Sequence, residues 1–403
     1  MIKKVVRKEE HKVEKNKQKI TIGFFIDTFY PMIDGVVTVV DNYARILSKY
    51  ANVIVFAPSI TGKEKDDIFP YKVVRAKSIP IPKKDYSLPI PKLDSNFLKE
   101  VEKIDLDIVH IHSPMMMGKV GVEYAKKHHK ILIGTIHSQY KQDFYRNTKS
   151  KIMSNMLTNH IMNLYNECDE CYTVGEGMAK IIHDDYHFSK ELKIMRNATT
   201  MKLLEDKTLI KKRMDKKYQI KEGEYVFLFV GRINRLKNIF FLLDALKELE
   251  NKIPYKMLFV GNGEDEEAFK KSIKKHNLEK QVLLCGRIED KNLLREYYAR
   301  SDLFLFPSLY DTSSIVQVEA ASQKCPTIFL KDSVTASGII DNGNGFLAEN
   351  DPKKYASRIL EILNDQEIYA KVREGCYEKL YRTWGSEVEK VYENYLRLLE
   401  GEK

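Results

Sequence analysis

Short apolar runs and amphipathic stretches alternate along almost the whole chain. The run ITIGFFID at 20–27 has few polar positions and several β-branched residues, the pattern of a strand buried on both faces. VVTVVDNYARILSKY follows with helical spacing, and NVIVFAP reads as the next strand. Strand-like runs recur at 107–112, 130–137 and 170–175. After Arg196 the rhythm restarts with YVFLFVG, YKMLFVGNG, QVLLCGRI, DLFLFPS and PTIFL, each separated by helix-like segments. Strands alternating with helices predict parallel β-α-β units with helices on both faces. Two doubly wound α/β domains fit this pattern better than one long sheet. The polar, charged stretch at 196–222 places the boundary, giving domains over 20–200 and 201–384. Residues 78–91 hold four prolines and predict a surface loop of the first domain. Residues 386–400 predict an amphipathic helix after the only tryptophan, Trp384.

The length of 403 residues agrees with two or three domains. A hydrophobic content of 43% excludes a disordered chain. The net charge of +10 favours an anionic partner: nucleic acid, a membrane surface or a phosphorylated ligand. Half of that excess lies in residues 1–19, with eight Lys/Arg against three acids. That segment predicts a mobile, solvated basic tail, with a membrane-surface role as the sharper reading. Charge concentrated in a tail speaks against a nucleic-acid binder. No apolar run reaches the roughly 18 residues of a membrane span, and the N-terminus lacks the apolar centre of a signal peptide. Five cysteines in so long a chain fit a reducing compartment. Cys168 and Cys171 have C-x-x-C spacing, but no second pair completes a metal site.

In open parallel sheets ligands bind at the carboxyl ends of the strands, so the residues there are informative. Gly35 begins the helix after the first strand. It serves as a turn glycine, or it leaves backbone N–H groups open to a ligand. In FLFVGRINRLKNIFFLLDALKEL, 227–249, helical apolar spacing starts only at Ile239, so 231–238 is a strand-to-helix turn. Arg232, Arg235 and Lys237 then stand at a helix N-terminus, whose dipole repels them. They face solvent, or an anion such as a diphosphate lies between. In FPSLYDTSSIVQVEAAS, Asp311 precedes a helix start, Thr312, Ser313 or Ser314 is available as cap, and Glu319 follows eight residues later. Two carboxylates there suit a hydroxyl-rich ligand; the plainer reading is a dipole-favoured acid and an ordinary helix Glu. His110 and His112 alternate on a strand, where one packs. GNGEDE at 261–266 lacks the third glycine of a dinucleotide fingerprint, which disfavours a dehydrogenase.

Taken in order, FYPMIDGVVTVV, DIVHIHSP, GTIHSQY, FVGRINRLKN, LFVGNGED, GRIEDKNLLREYYARSDLFLFPS, the Asp311/Glu319 pair and GIIDNGNGFL resemble the retaining family 4 glycosyltransferases of the GT-B architecture. No single motif is specific; their order and spacing from Lys19 to the C-terminus are. The resemblance implies two Rossmann-like domains facing across a cleft, the first binding acceptor and the second nucleotide sugar, with helix 385–400 packing back on the first. It implies that Gly35 lies by the donor diphosphate and His137 near the reacting sugar and β-phosphate. Arg232 and Lys237 would neutralise the diphosphate, Asp311 would hold sugar hydroxyls, and Glu319 the ribose. Arg287 and Ile288 would flank the base, with Ser314 and Ile315 also at the donor. Two positions depart from the family pattern: Asp311 stands where Glu is usual, and Ser313-Ser314 where an aromatic-glycine pair is common. They leave the donor sugar and the strength of catalysis open.

The resemblance is nearest to bacterial enzymes that glucosylate diacylglycerol. The expected reaction moves a hexose, glucose from UDP-glucose, to a hydroxyl of a membrane glycolipid such as diacylglycerol, with no metal and no other cofactor. A polysaccharide or lipid-linked oligosaccharide is the alternative acceptor. A sugar-nucleotide epimerase and a non-catalytic partner subunit are the readings from other classes. Residues 149–165 repeat apolar pairs that either cover the first sheet or, with Met115, Met116, Met117, Lys141, Arg146, Lys149 and Lys151, line a lipid-acceptor surface. The expected location is cytoplasmic, peripheral on the inner face of the membrane.

Overall fold

The computed structural model describes residues 19–401 apart from 33, 61, 63 and 82–86. All of the basic segment except Lys19 lies outside the described residues. The first half runs β1 (Thr21–Phe25), α1 (Gly35–Leu47), β2 (Asn52–Pro58), β3 (Lys72–Ala76), β4 (Ser78–Pro80), β5 (Ser87–Pro89), α2 (Ser95–Glu102), β6 (Ile108–Ile111), α3 (Met116–His128), β7 (Ile131–Ile136), α4 (Tyr140–Thr148), α5 (Lys151–Asn166), β8 (Glu170–Thr173), α6 (Glu176–Asp184) and β9 (Leu192–Ile194). The second half runs α7 (Thr208–Tyr218), β10 (Tyr225–Val230), α8 (Ile239–Glu248), β11 (Tyr255–Val260), α9 (Glu266–Lys275), β12 (Val282–Leu284), α10 (Lys291–Arg300), β13 (Leu303–Phe306), α11 (Ile315–Ser322), β14 (Thr327–Leu330), β15 (Phe346–Ala348), α12 (Pro352–Asn364), α13 (Gln366–Leu380) and α14 (Trp384–Leu399).

The chain divides into two units, each assembled from separated segments. One is Met1–Ile136, His160–Cys171 and Lys390–Lys403; the other is His137–Asn159 and Tyr172–Glu389. This division differs from a single cut near residue 200. The charged stretch that suggested the cut is not a linker. It contains α7, with Met214 buried, and Gln323 holds its start through Leu204 N (3.2 Å) and Lys202 O (2.9 Å).

The first sheet has the order β3-β2-β1-β6-β7-β8-β9. Ile22, Phe24 and Phe25 of β1 are fully buried, as both-face burial of a central parallel strand requires. Asp34 starts α1 by accepting from Val37 N at 2.8 Å. The segment 78–91 is not a plain loop. Its ends pair as antiparallel strands, Ser78 with Pro89 and Pro80 with Ser87, because proline is tolerated where a ladder is short and its edges are free. From Lys390 on, α14 belongs to the first unit. There Tyr395 is fully buried with its hydroxyl 2.5 Å from His110 Nδ1, and Asn394 donates to Glu170 at 2.6 Å.

The second sheet has the order β12-β11-β10-β13-β14-β15, and every pairing in it is parallel. Residues along β10 alternate between two cores. Phe227 and Phe229 pack with α8, α9 and α12 on one face. Val226, Leu228 and Val230 pack with Met214 and Tyr298 on the other. The chain leaves β10 in one direction along the sheet toward β11 and β12, and later returns on its other side as β13. Neighbouring strands β10 and β13 therefore send their following loops apart, and a crevice opens between them at the carboxyl ends.

Candidate active site

The two loops flanking that crevice are residues 231–238 after β10 and 307–314 after β13. They meet through one ion pair: Lys237 Nζ lies 2.5 Å from Asp311 Oδ1, with both side chains mostly buried. The second Asp311 oxygen, Oδ2, is buried and has no hydrogen-bond partner among the described residues. A buried carboxylate oxygen without a donor is costly, so this one stands ready for a ligand hydroxyl or amide. Arg232 is exposed, and its guanidinium takes no ion pair among the described residues. Two cations at a helix start, one paired with a carboxylate and one unpaired, make an anion-ready surface.

Local chemistry shapes the first loop. Asn234 is buried; its Oδ1 accepts from Lys237 N at 3.3 Å and its amide donates to Glu264 at 3.0 Å. Asn238 adopts the left-handed conformation (φ 57°), which Asn tolerates better than most residues, and donates to Pro307 O at 3.3 Å. That bond joins the two loops. Glycines of the GNGED segment permit a second joint. A Cβ on Gly261 would lie 1.9 Å from Gly231 O, and one on Gly263 would lie 2.4 Å from Ile233 O. These glycines therefore serve close backbone approach. Arg235 faces solvent, with its guanidinium 4.6 Å over Phe240 and 3.6 Å from Asp265.

Ser314 occupies the N-cap of α11, yet its side chain makes no cap hydrogen bond. Thr312 is not a cap either: its hydroxyl donates to His137 O at 3.0 Å. The first N–H groups of α11, at Ile315 and after it, thus lack a side-chain cap. Glu319 is no ordinary helix Glu. It is 2% exposed, 2.7 Å from Lys291 Nζ at the start of α10 and 3.1 Å from the Tyr298 hydroxyl. Burial and the Glu319 carboxylate hold the Tyr298 phenol neutral. Spacing alone carried no sign of Lys291 or Tyr298, which stand 28 and 21 residues from Glu319. Arg287 and Ile288 sit on the loop after β12; Arg287 pairs with Glu289 at 3.2 Å, and no contact links them to Lys237 or Asp311 among the described residues.

His137 follows β7 and belongs to the second unit. Burial pushes its imidazole pKa down to about 3, so the ring is neutral at ordinary pH. Close by in sequence, a cavity of about 420 Å³ is lined by Gln139, Lys141, Tyr145, Lys151, Asn155 and Tyr186 among others. The apolar repeat of 149–165 divides. Ile161, Met162 and Tyr165 are buried in the first unit, whereas Ile152, Met153 and Met156 are exposed. A stripe that simply covers the first sheet describes only its second half. Arg146 does not offer a free charge to a ligand, because it pairs with Asp143 at 2.9 Å.

Gly35 lies in the first unit at the first position of α1, and a Cβ there would meet nothing within 4 Å among the described residues. That unit has its own crossover, between β1 and β6. There Asp27, which carried no signal in the sequence, accepts from Met117 N at 2.8 Å and Met115 N at 3.1 Å at the start of α3. Burial raises its carboxyl pKa to about 6 against those donors. Met115 and Met116 are exposed, and Met117 is buried. Cys168 and Cys171 are both buried.

Comparisons with known proteins agree with this architecture. Residues 33–199 match the family model Glycosyltransferase Family 4, and residues 210–379 match Glycosyl transferases group 1. An alpha-monoglucosyldiacylglycerol synthase of Acholeplasma laidlawii is 25% identical over 364 residues, 86% of this chain and 89% of that one. Sucrose-phosphate synthase from Thermosynechococcus elongatus superposes with a TM-score of 0.76 at 17% identity, covering 95% of this chain and all of that chain. Anabaena HepE, crystallised with UDP and glucose, superposes with a TM-score of 0.70 at 15% identity over 93% of this chain and 99% of that one. Both structures share two parallel-sheet, Rossmann-like halves with this chain. Crossover site, family models and fold together make the chain a family 4 glycosyltransferase of the GT-B type.

Proposed function

We propose that the chain moves a hexose, with retention, from a nucleotide diphosphate sugar to an acceptor hydroxyl of a membrane lipid. UDP-glucose is the donor and diacylglycerol or a related glycolipid the acceptor. The observation behind the chemistry is the Lys237–Asp311 pair at the β10/β13 crossover, with Asp311 Oδ2 buried and without a partner. In this reading Arg232 and Lys237 take the diphosphate, assisted by the first N–H groups of α11 from Ile315 on, which lack a side-chain cap, with Ser314 beside them. Asp311 Oδ2 accepts a sugar hydroxyl. Glu319, oriented by Lys291 and Tyr298, accepts from the ribose, and Arg287 and Ile288 border the base. In the first unit Gly35 leaves a helix start uncrowded, which suits an anion.

The chemistry follows from charge. The bond from anomeric carbon to phosphate oxygen breaks, the carbon gains oxocarbenium character, and the diphosphate gains negative charge. A new bond forms to the acceptor oxygen, whose proton passes to the departing phosphate. Cations fixed beforehand stabilise the growing charge without reorganising, often the largest catalytic contribution. Arg232 and Lys237 fill that role without a metal. His137, neutral at working pH, offers a hydrogen bond rather than a charge. The exposed Ile152, Met153 and Met156 beside Lys149 and Lys151 suit an anionic lipid surface, and the A. laidlawii relative is named for a glucolipid product. In this reading the N-terminal part of the chain binds the acceptor and the C-terminal part the donor, at the cytoplasmic face.

The test is incubation of the purified chain with a panel of UDP- and GDP-sugars, with and without diacylglycerol vesicles, and mass spectrometry of the extracted lipid. A hexosylated lipid supports the reading. An epimerised free nucleotide sugar would move it to the epimerases, and tight UDP binding without turnover to a non-catalytic subunit.

A further inference from the structure

Within the loop 307–314 the Asp311 side chain pairs with Lys237. The residues on either side of it are gripped from outside the loop. The Tyr310 carbonyl accepts from Gln139 Nε2 at 2.7 Å. The Tyr310 hydroxyl donates to Asp143, which also takes Arg146 at 2.9 Å, and the Arg146 guanidinium lies 4.9 Å over the Tyr310 ring. Beyond Asp311, the Thr312 hydroxyl reaches His137 O at 3.0 Å, and Asn197 donates to Ser313 O at 2.7 Å. Gln139 and Asn197 are buried, so these bonds are shielded from water. Inside the loop, by contrast, the Tyr310 and Asp311 N–H groups have, among the described residues, only the Ser308 hydroxyl at 3.4 Å, a weak contact.

We propose that Tyr310, gripped by Gln139, Asp143 and Arg146, is a positioning residue that aims the Asp311 carboxylate at Lys237 and at the donor sugar. This rests on the donor-site reading above. The physical reason is leverage. A short carboxylate has two side-chain torsions, and a loop with weak internal bonds does not fix where they start. Anchoring both neighbours of Asp311 fixes its backbone, so one oxygen meets Lys237 while the other stays directed to the ligand. A misplacement of about 1 Å at such a group can cost on the order of 100-fold in rate. Tyrosine suits the role because one side chain supplies a hydrogen bond, a ring face for a guanidinium and bulk.

The experiment compares Tyr310→Phe, Asp143→Ala and the double variant. Tyr310→Phe keeps the ring and the carbonyl contact and loses only the hydroxyl bond. The first readout is amide hydrogen exchange of the ligand-free chain. Both single variants should raise exchange in 307–314 about tenfold and leave β10 and the urea midpoint unchanged. The second is kinetics with UDP-glucose: kcat should fall about tenfold with KM changed less than threefold, and the double variant should match the worse single one. Unchanged exchange in Tyr310→Phe overturns the proposal. So does full kcat despite raised exchange, or losses that multiply in the double variant. If Asp143→Ala fails to fold, Gln139→Ala, which releases only the Tyr310 carbonyl, replaces it with the same expectations. If the wild type does not turn over UDP-glucose, the proposed function fails while the exchange measurement still decides the grip.

Discussion

At the scale of single residues, the site is defined by a few groups whose partners are incomplete. Among the described residues Arg232 has no counter-charge and Asp311 has one oxygen without a donor, which leaves both available to a ligand. Arg232→Ala and Lys237→Ala should each lower turnover about 100-fold, close to 3 kcal/mol, with circular dichroism unchanged. Full activity in both variants would remove the diphosphate assignment. His137 supports a second prediction. Its pKa is about 3 folded and roughly 6.5 unfolded. Between those values the unfolded chain binds a proton that the folded chain refuses, so stability falls as pH drops through that window. Above it the residue contributes no pH dependence. Relative to His137→Gln, the wild type should therefore lose up to roughly 1.4 kcal/mol per pH unit on going from pH 6 toward pH 4. Urea unfolding of both chains at several pH values measures this. A difference that stays flat would mean that the folded imidazole accepts protons freely. Asp27 has the opposite sign: its pKa is raised to about 6, so its ionisation weakens the fold as pH climbs from about 4 to 6.

At the scale of elements, strands and helices were legible because their signals are local. Burial on both faces makes β10 and β13 apolar throughout, and the 3.6-residue period of α8 starts at the predicted Ile239. β3, β9 and β15 escaped because they are short or lie toward sheet edges, where fewer apolar positions are needed. The antiparallel pair β4–β5 escaped because proline signals a loop, and only pairing with a partner makes such a segment a strand. Loops gave half of their meaning away. The Gly261 and Gly263 positions were visible, but their purpose, close approach to the loop after β10, exists only in three dimensions. Gly261→Ala and Gly263→Ala should each lower the urea midpoint, by about 1–3 kcal/mol in unfolding free energy. Gly35→Ala is the contrast. With nothing near its Cβ among the described residues, it should fold as well as wild type. If an anion approaches that helix start, the donor KM should still rise several-fold. An unchanged KM would detach Gly35 from the donor.

At the scale of the whole molecule, the net charge of +10 and the split apolar stripe of α5 bear on location. No helix among the described residues is long and apolar enough to cross a membrane. Replacing Ile152, Met153 and Met156 together by Ser should reduce co-sedimentation with anionic vesicles at least fivefold, given about 25 cal/mol for each Å² of apolar surface withdrawn from water. Moving from about 0.05 to about 0.5 M salt should weaken wild-type binding as well, because screening shortens the reach of Lys149 and Lys151. Equal binding by the variant would leave the exposed stripe without a membrane role.

Hydrophobic periodicity, repeated at nearly constant spacing, determined by itself that this chain forms parallel β-α-β layers in two halves. The order of its motifs determined the family. Those properties are local or additive, so one dimension suffices for them. The site was not additive. Lys237 and Asp311 are 74 residues apart, and Glu319 and Lys291 are 28 apart; only the strand order of the second sheet makes them neighbours. The grip of Gln139 and Asp143 on Tyr310 spans 171 and 167 residues and leaves no pattern in sequence. Tertiary structure decided those contacts because a crossover brings together loops that the chain itself keeps far apart.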